Sequence, residues 1–311
     1  MENENKLRFI QFPETYDRRR LNKMYRAAGV PDRKSYLLRN YFCTMANLYG
    51  TISLVEAWKL IHAYHPRGAI TEELFWTFAE MARHEDEGYE IMGLDECFAD
   101  EPSHTPQERS IISCILFETD EGYADTLNQQ RGKPLYVPAT QEEMLYYADW
   151  RHVEATPWQK KLAAFLIQRM PKNWHTLERE RALWDVFFGV RVDGDVHLLL
   201  GAAEEWGLTM KHDNEVEEFV ALCVDYTNHA RLFVNRGHTP AELSALMPRD
   251  FTQRQTVSIG PQMREALARG TMTVEELREQ FRTQEFPHES LRTAFLEELE
   301  RVAAELGIPA G

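Results

Sequence analysis

Cysteine is scarce in this chain, and long apolar runs are absent. The four cysteines, Cys43, Cys97, Cys114 and Cys223, lie far apart and form no CxxC pair. Zinc frameworks and disulfide scaffolds need close, repeated spacing, so free buried thiols in a reducing compartment are the simpler reading. No window approaches the roughly 18 apolar residues of a membrane span. The N-terminal Met1-Glu-Asn-Glu-Asn-Lys6 lacks the apolar core of a secretory signal. A cytoplasmic location without membrane contact is therefore expected.

Catalytic signatures are missing as well. GxSxG, P-loop, GxGxxG and HExxH patterns do not occur, which removes the best-marked nucleophile, nucleotide and zinc classes. His62 with His65, the run His84-Glu-Asp-Glu87, and Asp193-Gly-Asp195 are the nearest approaches to a metal site. None brings a third ligand at a suitable spacing, so solvated helix ends and a turn explain them. No metal, cofactor or catalytic residue is expected, and the enzyme reading rests on little.

What the chain has is acid and helix signal. It holds 311 residues with 43% apolar and 27% charged, enough to build one large or two ordinary domains. The net charge is −15, unevenly spread: residues 1–40 carry ten Lys/Arg against five acids, so the rest carries −20. Such a basic arm either docks on its own acidic body or reaches a polyanion. Tyr16, Leu21 and Tyr25 within it suit burial and favour docking.

Helix starts are written as capping boxes, in which a hydroxyl cap and an acid or amide three residues later each satisfy an orphan backbone N–H. Thr105-Pro-Gln-Glu108, Thr156-Pro-Trp-Gln159 and Thr239-Pro-Ala-Glu242 add the favourable first-turn proline. Ser53-Leu-Val-Glu56, Thr140-Gln-Glu-Glu143 and Thr273-Val-Glu-Glu276 carry the box alone. They predict helix starts near 54, 106, 141, 157, 240 and 274, with further helices over 35–49, 71–85, 176–188, 195–206 and 214–235. Strand signal is confined to Tyr89–Phe98, readable as one small hairpin turning at Gly93-Leu-Asp95. The expected class is all-α with at most one small hairpin, a multi-helix body whose N-terminal region has a winged-helix-like order. Four segments are expected: a basic arm over 1–30, a winged-helix-like region over 31–120, a helical domain over 121–250 and a short helical module over 251–311. Breaks are expected near 100–105, 131–139 and 248–261.

Two candidate binding regions stand out. Asn228, Arg231 and Asn235 would share one face of the 214–235 helix, and with Arg236 and His238 they frame a helix–turn–helix corner closed by Gly237. The corner is either internally bonded or a polar face for an anion or peptide. The nucleic-acid alternative uses Arg18, Arg19, Arg20 and Lys23. It gains nothing from the helix over 71–87, where six acids face one arginine and would repel phosphates.

Three segments, Asn47-Leu-Tyr-Gly50, Gly132-Lys-Pro-Leu-Tyr-Val-Pro138 and Asn228 to Leu243, resemble an uncharacterised family of bacterial all-helical proteins with NLYG, GKPxYxP and NxxRxxxNxGHTPxEL segments. The resemblance spans roughly residues 40–245 and implies a bacterial cytoplasmic helical protein, without an activity to carry over. Some members continue into a SEC-C zinc motif, but no cysteine follows Cys223 here. The leading functional expectation is a non-catalytic interaction or regulatory protein that contacts a protein partner through its helices. A nucleic-acid-associated regulator is the alternative and an unrecognised hydrolase the third.

Overall fold

Hydroxyl caps start the helices where the sequence places them. The computed structural model describes residues 10–98, 105–119, 121–152, 154–210, 212–247, 259, 261–283 and 289–308. In it Ser53, Thr140, Thr156, Thr239 and Thr273 accept from the backbone N–H three residues on, at 3.1–3.2 Å. The start at 106 yields only a single 3-10 turn, Pro106–Glu108.

The chain divides into two compact units, with the boundary between Leu246 and Met247. The first opens with α1 (Arg18–Ala27), α2 (Asp32–Tyr49), β1 (Thr51–Ser53), α3 (Leu54–Tyr64), α4 (Glu72–Ala82), β2 (Tyr89–Gly93), α5 (Leu94–Phe98) and β3 (Arg109–Ser113). The strands form one antiparallel sheet in the order β1-β3-β2, with Ile111 opposite both Ile52 and Ile91. From α2 to β3, with α5 set between the last two strands, the order of helix, strand, two helices and two strands is the one expected of a winged-helix-like region. The class is mostly helical, as expected, but the strands make a three-stranded sheet, one strand more than the single hairpin expected. The second hairpin arm is β3 rather than residues 96–98, which coil into α5 with Glu96 accepting from the Gly93 N–H at 2.6 Å.

The long helix α2 is the axis of this region. Leu38, Tyr41, Phe42, Met45 and Leu48 are buried on it, and Phe42 makes edge contacts with Phe75, Phe78 and Tyr89 at centroid distances of 5.1–5.8 Å. Burying each such ring contributes roughly 1.5–3 kcal/mol.

The described part of the basic arm, from residue 10 on, docks on this body. The Tyr16 N–H donates to the His84 carbonyl at 2.9 Å, and the two rings stack. Behind them Glu85 is buried and accepts from Arg18, Arg39, Tyr25 and Tyr89. Burial and then the Glu85 charge push the Tyr25 and Tyr89 phenols well above their ordinary range.

The unit continues with α6 (Gly122–Gln130), α7 (Gln141–Leu145), α8 (Pro157–Arg169), α9 (Thr176–Asp193), α10 (His197–Glu205), α11 (Asp213–His229) and α12 (Pro240–Leu246). Helices α8, α9 and α11 share a core of Leu162, Phe165, Phe187, Phe219 and Tyr226. The expected helix over 214–235 stops at His229. Ala230 is extended at φ −85° and ψ 143°, and the chain resumes as a 3-10 turn, Phe233–Asn235. Residues 131–139 hold no helix or strand, whereas the breaks at 100–105 and 248–261 fall almost wholly outside the described residues.

The second unit contains α13 (Pro261–Ala268), α14 (Val274–Thr283) and α15 (Glu289–Glu305). Leu277, Phe281, Leu299 and Val302 form its core. Among the described residues, no helix of the chain is long and apolar enough to cross a membrane.

Candidate functional site

The corner singled out in the sequence is bonded to itself. Arg231 lies past the end of α11, where its Nη1 donates to the Gly237 carbonyl and to Glu242 Oε2, both at 2.9 Å. Its Nε sits 2.9 Å from Glu154 Oε1, and its guanidinium covers the Tyr136 ring 3.5 Å from the centroid. Arg236 takes the left-handed conformation at φ 52° and donates to Glu56 Oε1 at 2.6 Å and to the Lys133 carbonyl at 3.3 Å. Asn235 is buried, and its Oδ1 accepts from Lys133 Nζ at 2.9 Å. His238 is buried 3.5 Å from Glu242 Oε2 with its ring edge-on to Tyr136.

Burial raises Glu56 and Glu242, but their bonds to Arg236 and Arg231 outweigh it and hold both carboxyls below the usual range. Arg231, Asn235, Arg236 and His238 thus converge, with the two arginines paired to Glu154, Glu242 and Glu56 and both His238 ring nitrogens buried without a hydrogen-bond partner among the described residues. Asn228 does not join them. It stays exposed on the last turn of α11, because the break at Ala230 rotates the following residues away from its face. The expected common helical face of Asn228, Arg231 and Asn235 is corrected accordingly.

The other two segments of the resemblance meet here. Asn47 Nδ2 donates to the Tyr147 carbonyl at 2.9 Å, and the Tyr49 hydroxyl to the Tyr136 carbonyl at 2.9 Å. Gln130 Nε2 ties Tyr49 to Phe233 by donating to both carbonyls at 2.7 Å. These groups hold backbone together and offer little free valence to a ligand.

The cations of the nucleic-acid alternative are partly spent. Arg18 pairs with Glu85 and Glu87, and Arg20 lies 3.4 Å over the Tyr16 ring. Arg19 and Lys23 are exposed. Among the described residues no group of three His, Cys, Asp or Glu side chains could hold a metal ion. His65 instead meets the Tyr41 hydroxyl at 3.0 Å, and Asp195 accepts from the His197 N–H at 2.8 Å.

A larger feature escaped sequence reasoning. A cleft of about 1380 Å³ opens between α6 and α9. Its α9 wall is a helical stripe of Trp184, Asp185, Phe188, Gly189, Val192 and Asp193, recurring at intervals of three and four. The opposite wall carries Glu121, Gly122, Asp125 and Thr126, and its floor includes Cys43, Asn47, Ser113, Cys114 and Val234. With Asp86, Glu87, Glu118 and Asp195, the described lining holds eight carboxylates and no Lys, Arg or His.

Glu87 is neutralised by Arg18 and Arg39, and Asp185 has Arg181 at 4.0 Å. Asp86, Glu118, Glu121, Asp125, Asp193 and Asp195 make no ion pair with another described residue. Burial and then the neighbouring Asp195 raise the Asp193 carboxyl. Just beneath, burial and Asp86 push Glu90 up to about 7. Burial and the surrounding acids push the Cys43 and Cys114 thiols up to about 12.

Aromatic side chains stand among these charges. Trp150 follows the 3-10 turn Tyr146–Ala148 and is 48% exposed. It meets Trp184 edge-on at a centroid distance of 3.9 Å, and Trp184 stacks on Phe188 at 5.2 Å. The Trp184 indole N–H donates to the Trp150 carbonyl at 3.3 Å. Like charge gathered against low-dielectric walls focuses the field and attracts cations. The chain matches no family model, no curated protein and no solved structure.

Proposed function

We propose that this chain is a non-catalytic cytoplasmic binding protein whose cleft between α6 and α9 takes a positively charged segment of a partner protein. The observation that carries the reading is the cleft lining itself, eight carboxylates without a basic side chain, six of them free of ion pairs among the described residues. A bound cation would relieve their mutual repulsion. The volume of about 1380 Å³ exceeds the roughly 300–1,000 Å³ usual for small-molecule sites, which suits a stretch of polypeptide.

Two observations weigh against hydrolysis. Nucleophilic cysteine chemistry needs a thiolate, and both cleft thiols are held near 12. Among the described residues, the lining also brings no histidine beside Ser113 or Cys114 to act as a base. Nucleic acid is the weaker partner, since Arg18 and Arg20 are engaged on the body. Four free thiols fit a reducing compartment. The convergence of all three resemblance segments on one corner fits a scaffold shared with the bacterial helical family.

Calorimetric titration with nona-arginine and nona-lysine peptides tests the reading. Binding should weaken steeply with salt and fall at least tenfold in an Asp125→Asn/Asp193→Asn/Asp195→Asn variant. Absence of binding at millimolar peptide, or affinity unchanged by the triple substitution, rejects it.

A further inference from the structure

The aromatic cluster gives the cleft a preference beyond charge. Resting on the reading of the cleft as a seat for cations, we infer that Trp150, Trp184 and Phe188 hold the planar guanidinium of an arginine from the bound segment. Trp150 is the accessible member, half-exposed although it is large and apolar, and both tryptophans and Phe188 line the cleft. A ring about half exposed, in a cavity whose described lining holds no basic side chain, leaves aromatic surface open to a guest in a field that selects its charge.

An apolar guest would bury six unpaired carboxylates beside it without compensation, which is costly. A cation is favoured by both features at once. The carboxylates supply the field, and the indole face supplies the quadrupole that attracts positive charge within about 6 Å of the ring. Asp185 lies between Trp184 and Phe188 in sequence and lines the same wall, so it stands where a guanidinium on the rings can donate to it.

Arginine is selected over lysine for physical reasons. Its guanidinium is flat, stacks on aromatic faces, and sheds water more readily than the compact ammonium of lysine. The platform is also set in advance. The Trp184 indole is held by its bond to the Trp150 backbone carbonyl and by stacking on Phe188, and the Trp150 ring meets it edge-on. Little ordering entropy is then lost when the guest arrives.

Fluorescence anisotropy with labelled nona-arginine and nona-lysine peptides at physiological salt provides the test. The wild-type chain should bind nona-arginine roughly 3- to 30-fold tighter than nona-lysine, the range set by a cation–aromatic contact. Trp150→Leu keeps apolar bulk but removes the π face, and should bring the ratio close to one without altering the salt dependence. Trp150→Phe should restore most of the preference. A wild-type ratio of one, or a ratio that Trp150→Leu leaves intact, overturns the arginine seat while the charge reading survives. Failure of both peptides to bind overturns both.

Discussion

The ring of Tyr49 fills the space in which a side chain at Gly237 would stand. A Cβ there would lie 2.9 Å from Tyr49 Cδ1 and Cε1, with Gly237 at φ +81°. The same interlock runs in reverse at Gly50, where a Cβ would lie 2.5 Å from Phe233 Cδ2 at φ +70°. Two glycines nearly two hundred residues apart thus let one corner close on another.

Alanine at either glycine should therefore destabilise the first unit. Left-handed strain and overpacking together predict a loss of roughly 2–4 kcal/mol. Gly29→Ala is the control, since Gly29 has φ +77° but nothing within 4 Å of the place a Cβ would take. It should cost only about 1–2 kcal/mol, the strain alone. Urea unfolding midpoints check the difference.

Arg231 is held between Glu154 and Glu242 over the Tyr136 ring. Arg231→Met should cost roughly 3–5 kcal/mol, because it strands Glu154 in a partly buried site. Glu242 is 41% exposed at its side chain, so Glu242→Gln should cost only about 1 kcal/mol. The Glu242 carboxyl is lowered in the fold, so its contribution exists above the ordinary glutamate range and fades as pH falls through the folded value. The stability gap between wild type and Glu242→Gln should close in acid.

Glu90 behaves in the opposite sense. Its folded carboxyl titrates near 7, above the ordinary value of 4.5. Between these two values the native state keeps a proton that the unfolded chain releases, so stability falls as pH rises through this window. Glu90→Gln should flatten the fall and should be more stable than wild type at pH above about 7. Denaturant titrations of both proteins across this range give the difference directly.

The N-terminal arm should be held by Glu85. Glu85→Ala leaves Arg39 and two tyrosine hydroxyls without their buried acceptor. A loss of roughly 3–5 kcal/mol is expected. Trypsin should also cut faster within Arg18–Arg20, read by mass spectrometry of the released fragment. Undiminished protection in this variant would show that Tyr16 and His84 suffice.

Much of this architecture was legible because helix starts are local. A hydroxyl and an acid three residues apart satisfy the same backbone N–H groups in any context, and all six boxes mark a helical turn. The end of α11 was not legible, because Ala230 carries no glycine or proline signal. Its extension goes with the pairing of Arg231 to Glu154, which lies some eighty positions away in sequence. β1 has three residues, too few for a period-two pattern, and acquires its identity by pairing with β3. The corner residues could be named from sequence, but not Lys133, Tyr136 and Glu56, which engage Asn235, Arg231 and Arg236. The cleft was invisible, since Cys43, Cys114, Asp125, Trp150 and Trp184 come from five separate segments of the chain.

The convergence of these segments also orders events during synthesis. Tyr49, Gln130 and Lys133 emerge from the ribosome long before Phe233, Asn235 and Gly237. Until then Gln130 has one of its two carbonyl partners missing, and Tyr49 has an uncovered ring. A nascent chain halted short of residue 233 would present that unplugged socket to chaperones and proteases. Closing the loop is a late, long-range step, of the kind that slows folding through chain entropy.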